Sequence, residues 1–167
     1  LTVKSLLPWH RRRVIPIGSY IIATEPLGED QINRLMPNNR VNSDTRKMVV
    51  YYRRCTEGKR ILFGGRVAIS ESAASNAAPA LHKELCRIFP ELATTKITHS
   101  WMGFVGYTFD SLPHMGIKDG VHYSMGYCGS GVSLASYFGK RIGQRVLGHP
   151  EGKRPLEDVE FETRFYY

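Results

Sequence analysis

Cysteine is scarce in this sequence, and the signatures of metal sites, membrane spans and dinucleotide grips are missing. The three cysteines, Cys55, Cys86 and Cys128, match neither a zinc ribbon nor a disulfide framework, and point to a reducing, cytoplasmic compartment. No apolar run approaches the roughly 18 residues of a bilayer-crossing helix, so no membrane span is expected. The start lacks the charged, apolar and small-residue order of a secretion signal. It begins with Leu1, not Met, which suggests a beginning inside a longer gene product. His10, His82, His99, His114, His122 and His149 are scattered without ligand spacing. His114 follows Asp110 by four, but Pro113 argues against a metal-binding helix between them. No G-x-G-x-x-G occurs and no Walker A lysine follows a glycine loop. Those absences exclude the usual Rossmann hold on a pyrophosphate and disfavour nucleotide triphosphate hydrolysis.

What is present is an ordinary globular composition. The chain has 167 residues, 42% apolar and 23% charged, enough to bury a core and too apolar for disorder. Net charge is +8. A positive field raises the local concentration of anions, so one reading is a basic nucleic-acid or anion-binding module without catalysis. The basic clusters Arg11-Arg12-Arg13, Arg53-Arg54, Lys59-Arg60, Lys140-Arg141 and Lys153-Arg154 are spread along the chain, however. They form neither an aromatic-interleaved stripe nor a nucleic-acid motif. The other reading is solvated or inter-domain charge, with no nucleic-acid partner.

The order of elements follows from periodicity. Residues 14–24 are β-branched and aromatic and predict a strand, with Pro16 at an edge or near the start. Residues 28–36 predict a short helix, acidic early and apolar behind. Residues 47–54 and 59–65 are two strand-like runs around Cys55-Thr56-Glu57-Gly58, hence a hairpin. Asn76 to Phe89 reads as a helix through Leu81, Leu85, Ile88 and Phe89, with Pro79 in its first turn and Pro90 ending it. A strand covers about 96–104, an irregular stretch 108–113, and a half-buried strand 121–127. A helix from Val132 to Leu147 carries Ala135, Gly139 and Gly143 at every fourth position, a flat stripe suited to close approach by another backbone. The fold class is α+β, with a mixed, largely antiparallel sheet and flanking helices.

The feature with most chemical content is the strand, glycine loop and helix over residues 121–147. Gly126, Gly129 and Gly131 let the backbone come close to a ligand. The helix that follows offers unpaired amides and a partial positive charge. By itself this pattern, G-x-x-G-x-G, fits equally a tight turn that binds nothing.

Five segments in order then carry a resemblance. They are Ser19 to Leu27; Tyr52-Arg53 with Ile61 to Gly65; Phe89-Pro90-Glu91-Leu92; Trp101-Met102-Gly103 with Thr108 to Pro113; and Gly126 to Val132. Over residues 12–150 the chain resembles the C-terminal half of the D-amino-acid oxidase-like flavoproteins, a family that includes glycine oxidase, sarcosine oxidase and gamma-glutamylputrescine oxidoreductase. The resemblance implies an oxidoreductase that breaks a C–N bond of a small amine or amino acid by hydride transfer to FAD. It implies that the FAD is noncovalent, because no cysteine stands near Gly103 where some relatives attach it. It also implies that an absent N-terminal Rossmann half, the chain's partner, mainly holds the cofactor, so that this chain alone is incomplete and inactive.

On the same basis residues 1–118 are the substrate domain, 119–150 the flavin-contacting strand, loop and helix, and 151–167 a tail. Gly103, Gly126, Tyr127, Cys128, Gly129, Ser130, Gly131 and Val132 are the cofactor candidates. The turn and helix start would stabilise the charge that reduction leaves near flavin N1 and the C2 carbonyl. Tyr51, Tyr52 and Arg53 are substrate candidates, Arg53 for a carboxylate held bidentately. No catalytic base is assigned, since relatives often use none. Ser133 replaces a lysine that some relatives direct at a substrate carboxylate. Cys128 is taken as a small residue at a tight turn.

Overall fold

Alternation along β1 (Ile15–Thr24) turns Tyr20 and Ile22 into the core and leaves Ser19 and Ile21 half-buried on the opposite face, the side-chain period of a strand. A computed structural model describes residues 7–46, 49–65, 74–152, 159, 160 and 162. β2 (Asn42–Ser43), β3 (Val50–Arg54), β4 (Ile61–Gly65) and β5 (Ile97–Tyr107) complete a five-stranded sheet in the order β2-β3-β4-β1-β5. The pairings of β1 with β4, β2 with β3 and β3 with β4 are antiparallel. The expected hairpin is β3–β4. Gly58, at φ +73, supplies its left-handed residue and donates its amide to the Cys55 carbonyl at 2.9 Å. The early part of the first run, Lys47 and Met48, lies outside the described residues.

Two helices cover one face of this sheet. α2 (Glu29–Leu35) has Glu29 and Asp30 in its first turn, where carboxylates suit the helix dipole. Its far end is closed from β3, where Arg54 donates to the carbonyls of Ile32 and Met36. α3 (Ala74–Ile88) brings Leu81 and Leu85, both fully buried, against Tyr20, Ile22, Ile61, Phe63 and Leu92. This helix begins two residues earlier than the sequence predicts, which puts Pro79 inside it instead of in its first turn. The ring removes one amide on an exposed face, a loss the apolar seam of Ala77, Leu81 and Leu85 outweighs.

By packing, the chain divides into residues 18–103 and a discontinuous unit of residues 1–17 with 104–167. In the second unit, α1 (Pro8–Arg11) precedes β1, and β6 (His114–Lys118) with β7 (Val121–Met125) forms a separate antiparallel hairpin. Asp119 and Gly120 turn it with φ +53 and +78, the mirror-image turn geometry that matches strand twist. β6 is absent from the sequence reading, because five residues without alternation carry no signal of their own. β5 also runs three residues past its expected end, through glycine-containing Phe104 to Tyr107.

α4 (Gly131–Val146) is anchored by Phe138, which is buried and stacks on Tyr127 at 6.0 Å between ring centroids. Its Ala135, Gly139 and Gly143 stripe is exposed. Among the described residues nothing lies within 4 Å of a Cβ placed at Gly139 or Gly143, so none of them makes the backbone approach expected there.

Candidate functional site

Between the end of β7 and the start of α4 the backbone takes left-handed values at Gly126 (φ +78), Cys128 (φ +51) and Gly129 (φ +104). At Gly126 there is also no room for a side chain, because a Cβ would collide with the Thr108 methyl group. Cys128 is the unusual member, since a non-glycine residue there costs roughly 1–2 kcal/mol. Its amide donates to the Gly106 carbonyl at 3.2 Å, and its thiol donates to the Gly126 carbonyl at 3.1 Å. The Ser130 amide closes the turn onto the Tyr127 carbonyl at 2.9 Å.

This path leaves a set of donors unused. Among the described residues, the amides of Gly129, Gly131, Val132 and Ser133 have no hydrogen-bond partner, as the first turn of a helix requires unless something caps it. Ser130 stands at the N-cap position without a capping side-chain bond. Gly129 and Ser130 are exposed, and Val132 is 98% exposed. Unpartnered amides at a helix start, together with the helix dipole, suit an anion or an electron-rich carbonyl edge. Tyr127 turns its ring inward, stacked on Phe138 and sharing a hydrogen bond of 2.7 Å between its hydroxyl and Ser124 Oγ.

The loop after β5 packs against this turn. Thr108, 4% exposed, donates from Oγ1 to the Leu112 carbonyl at 2.8 Å. Asp110 Oδ1 accepts the Leu112 amide at 3.0 Å, and Asp110 Oδ2 lies 2.7 Å from Nε2 of the buried His114. Burial alone would raise the Asp110 carboxyl. Hydrogen bonds from the Leu112 amide and the His114 ring outweigh it and hold the group below the usual carboxylate value.

In the other unit, the substrate candidates separate by face. Tyr52 packs into the core, stacked on Phe63 at 5.9 Å and edge-on to Phe89 at 5.4 Å. Tyr51 faces the opposite way, its hydroxyl 2.9 Å from Ser19 Oγ and its ring filling the space where Gly64, its cross-strand partner, has no Cβ. Arg53 shares that face and is exposed, with a long 3.4 Å bond to the Arg54 carbonyl. Gly103 is exposed on β5 with open space at its Cβ position, and belongs to a different unit from the turn. The Ser19–Tyr51–Gly64 grouping escaped sequence reasoning, although extending the hairpin register from its turn sets Tyr51 opposite Gly64.

Cys55, Cys86 and Cys128 are all free thiols. Among the described residues no group of three or more His, Cys, Asp or Glu could hold a metal, and no helix is long and apolar enough to cross a membrane.

Residues 2–145 match the model of the family described as DAO, FAD dependent oxidoreductase. A probable oxidoreductase OrdL of Rhizobium meliloti is 36% identical over 148 residues, covering 87% of this chain and 34% of that protein. The gamma-glutamylputrescine oxidoreductase of Escherichia coli is 31% identical over 141 residues, covering 84% of this chain and 33% of that protein. The chain thus spans about a third of the length of the curated relatives it matches. Among solved structures, L-proline dehydrogenase from P. horikoshii superposes with a TM-score of 0.65 at 18% identity, over 87% of this chain and 38% of that one. Glycine oxidase from Geobacillus kaustophilus gives 0.62 at 15%, over 93% and 40%.

Proposed function

The chain belongs to the DAO family of FAD-dependent oxidoreductases, and on that premise we propose that it is the part of an amine or amino-acid oxidoreductase that contacts the flavin ring and the substrate. The observation that carries this reading is the row of amides at Gly129, Gly131, Val132 and Ser133, unpartnered among the described residues and presented by an exposed turn at a helix start. Such donors fit the adjacent nitrogen and carbonyl oxygen on the pyrimidine edge of an isoalloxazine, where they need no reorganisation to receive added charge. FAD, when bound, would supply the hydride acceptor for oxidation of a C–N bond.

The chain's own residues would act in three ways. The Gly126–Val132 segment would orient the flavin ring and stabilise negative charge through its backbone; Gly103 would lie along the same cofactor. The open sheet face with Ser19, Tyr51 and Arg53 would contact substrate, Arg53 through its guanidinium and Tyr51 through its hydroxyl. Tyr52 would support that face from the core side. Residues 1–118 and 119–150 would then divide by role into substrate and flavin segments, and the tail expected over 151–167 lies mostly outside the described residues. The pyrophosphate and adenine would be held by an N-terminal half, since this sequence has no glycine fingerprint for them. Noncovalent FAD and a cytoplasmic location complete the proposal.

The test is reconstitution. Purified alone, the chain is expected to bind FAD weakly or not at all. Produced together with the coding region that precedes it, it is expected to carry flavin that small amines or amino acids bleach under anaerobic conditions. Stable yellow colour in the chain alone contradicts the division of labour, and a colourless joint product overturns the functional reading.

A further inference from the structure

The glycine turn holds three residues in left-handed backbone, one of them the non-glycine Cys128, and has few bonds of its own, so its shape is imposed from outside. The groups that impose it form a closed circuit. Cys128 donates its amide back to the Gly106 carbonyl at 3.2 Å. Two residues on, Thr108 sets its methyl against Gly126 and its Oγ1 3.5 Å from Cys128 Sγ, while the hydroxyl donates to the Leu112 carbonyl at 2.8 Å. Leu112 is fixed in turn by Asp110, whose side chain accepts its amide at 3.0 Å, a short-range bond that makes a local turn. Ser111, between them, is left-handed at φ +60. The second Asp110 oxygen meets His114 Nε2 at 2.7 Å. His114 stands directly opposite Met125 in the β6–β7 register, and Met125 is the residue before Gly126. The circuit therefore returns to the turn it started from.

We propose that Thr108, Asp110 and His114 are positioning residues for the glycine turn. Thr108 acts by contact and Asp110 through Leu112. His114 acts through Asp110 and reaches as far as the Val159 carbonyl, 3.3 Å from its Nδ1. The turn fixes where the Gly129, Gly131 and Val132 amides point, so the circuit sets the direction of the donor row. Its consequence for a cofactor rests on the proposed function; its consequence for the turn does not.

Two readouts keep those apart. The first is native-state amide exchange over residues 124–134, measured without flavin on the full encoded polypeptide. Thr108→Val keeps the shape and the methyl but removes the hydroxyl, and is expected to speed exchange at Cys128 and Ser130 about five- to tenfold, the value of one net hydrogen bond. Exchange in the β3–β4 hairpin should stay at the wild-type rate. Thr108→Ser restores the donor but not the methyl against Gly126, and should recover only part of the protection. Asp110→Ala should act like Thr108→Val, and Asp110→Asn, which keeps the acceptor for Leu112, should recover much of the loss. If Asp110→Ala fails to fold, the isosteric Thr108→Val decides. Unchanged exchange over 124–134 in Thr108→Val overturns the proposal.

The second readout is the reduction potential of bound FAD, expected to move to more negative values in Thr108→Val and to recover in part in Thr108→Ser. Raised exchange with an unmoved potential in a polypeptide that does bind FAD overturns the positioning role. A polypeptide that never binds FAD refutes the functional reading instead, and amide exchange still decides whether the circuit holds the turn.

Discussion

At the scale of single residues, two titratable groups and one glycine set the sharpest expectations. Gly126→Ala meets both a left-handed backbone and the Thr108 methyl, so it should lower stability by roughly 2–4 kcal/mol, read from the urea midpoint. Asp110 titrates below the usual carboxylate value in the folded chain. Its contribution is fully present above the unfolded value, near 3.9, and is lost as pH falls through the lower folded value. Asp110→Asn should flatten the acid arm of a melting-temperature profile below about pH 4. His10 behaves in the opposite sense. Burial first, then the charge of Arg13, push its ring down, with Asp119 opposing, so the folded form prefers it neutral. Below its unfolded value, near 6.5, the unfolded chain takes the proton first. Stability should therefore decline between about pH 7 and 5, and His10→Phe should remove that slope. The glycines and Cys128 were legible in the sequence as a turn. Thr108, Asp110 and His114 were not legible as its supports, because Thr108 meets the turn across 18 to 20 residues, the other two act through intermediaries, and no local pattern encodes either.

At the scale of elements, the neighbouring arginines of β3 separate packing from function. Arg54 closes the end of α2 through two carbonyls, so Arg54→Ala should cost about 1.5–3 kcal/mol, the range for hydrogen bonds from a charged donor. Arg53 is exposed, and Arg53→Ala should change stability by no more than about 0.5 kcal/mol. If Arg53 holds a substrate carboxylate, the same change in the complete enzyme should raise KM at least about tenfold. The β3–β4 hairpin could be read beforehand because Gly58 and two β-branched or aromatic runs agree. β6 could not, since His114-Met115-Gly116-Ile117-Lys118 is short and gains its strand conformation from β7. The start of α3 was misplaced for a related reason: propensity puts Pro79 in the first turn, whereas the buried face of Ala77, Leu81 and Leu85 outweighs one lost amide.

For the molecule as a whole, composition and charge set the class but not the role. A net charge of +8 spread over both units should give weak, sequence-indifferent binding to duplex DNA at low salt. That binding should fall steeply toward physiological ionic strength as released counterions regain no advantage. Retention on DNA at about 0.2 M salt would favour the anion-binding reading instead. The α+β class and the antiparallel strand pairings were accessible from periodicity. The division into residues 18–103 and the two flanking stretches was not, because it depends on how β1 and β5 are shared, which a linear reading cannot weigh.

The packing of Gly126 against Thr108 has a genetic corollary. Every single-base change that alters the amino acid at a glycine codon introduces a Cβ, so no such neighbour satisfies both the torsion and the space there. Saturating that codon and selecting for flavin retention should return glycine alone, whereas the same library at Gly139, which faces open space, should return a broad set.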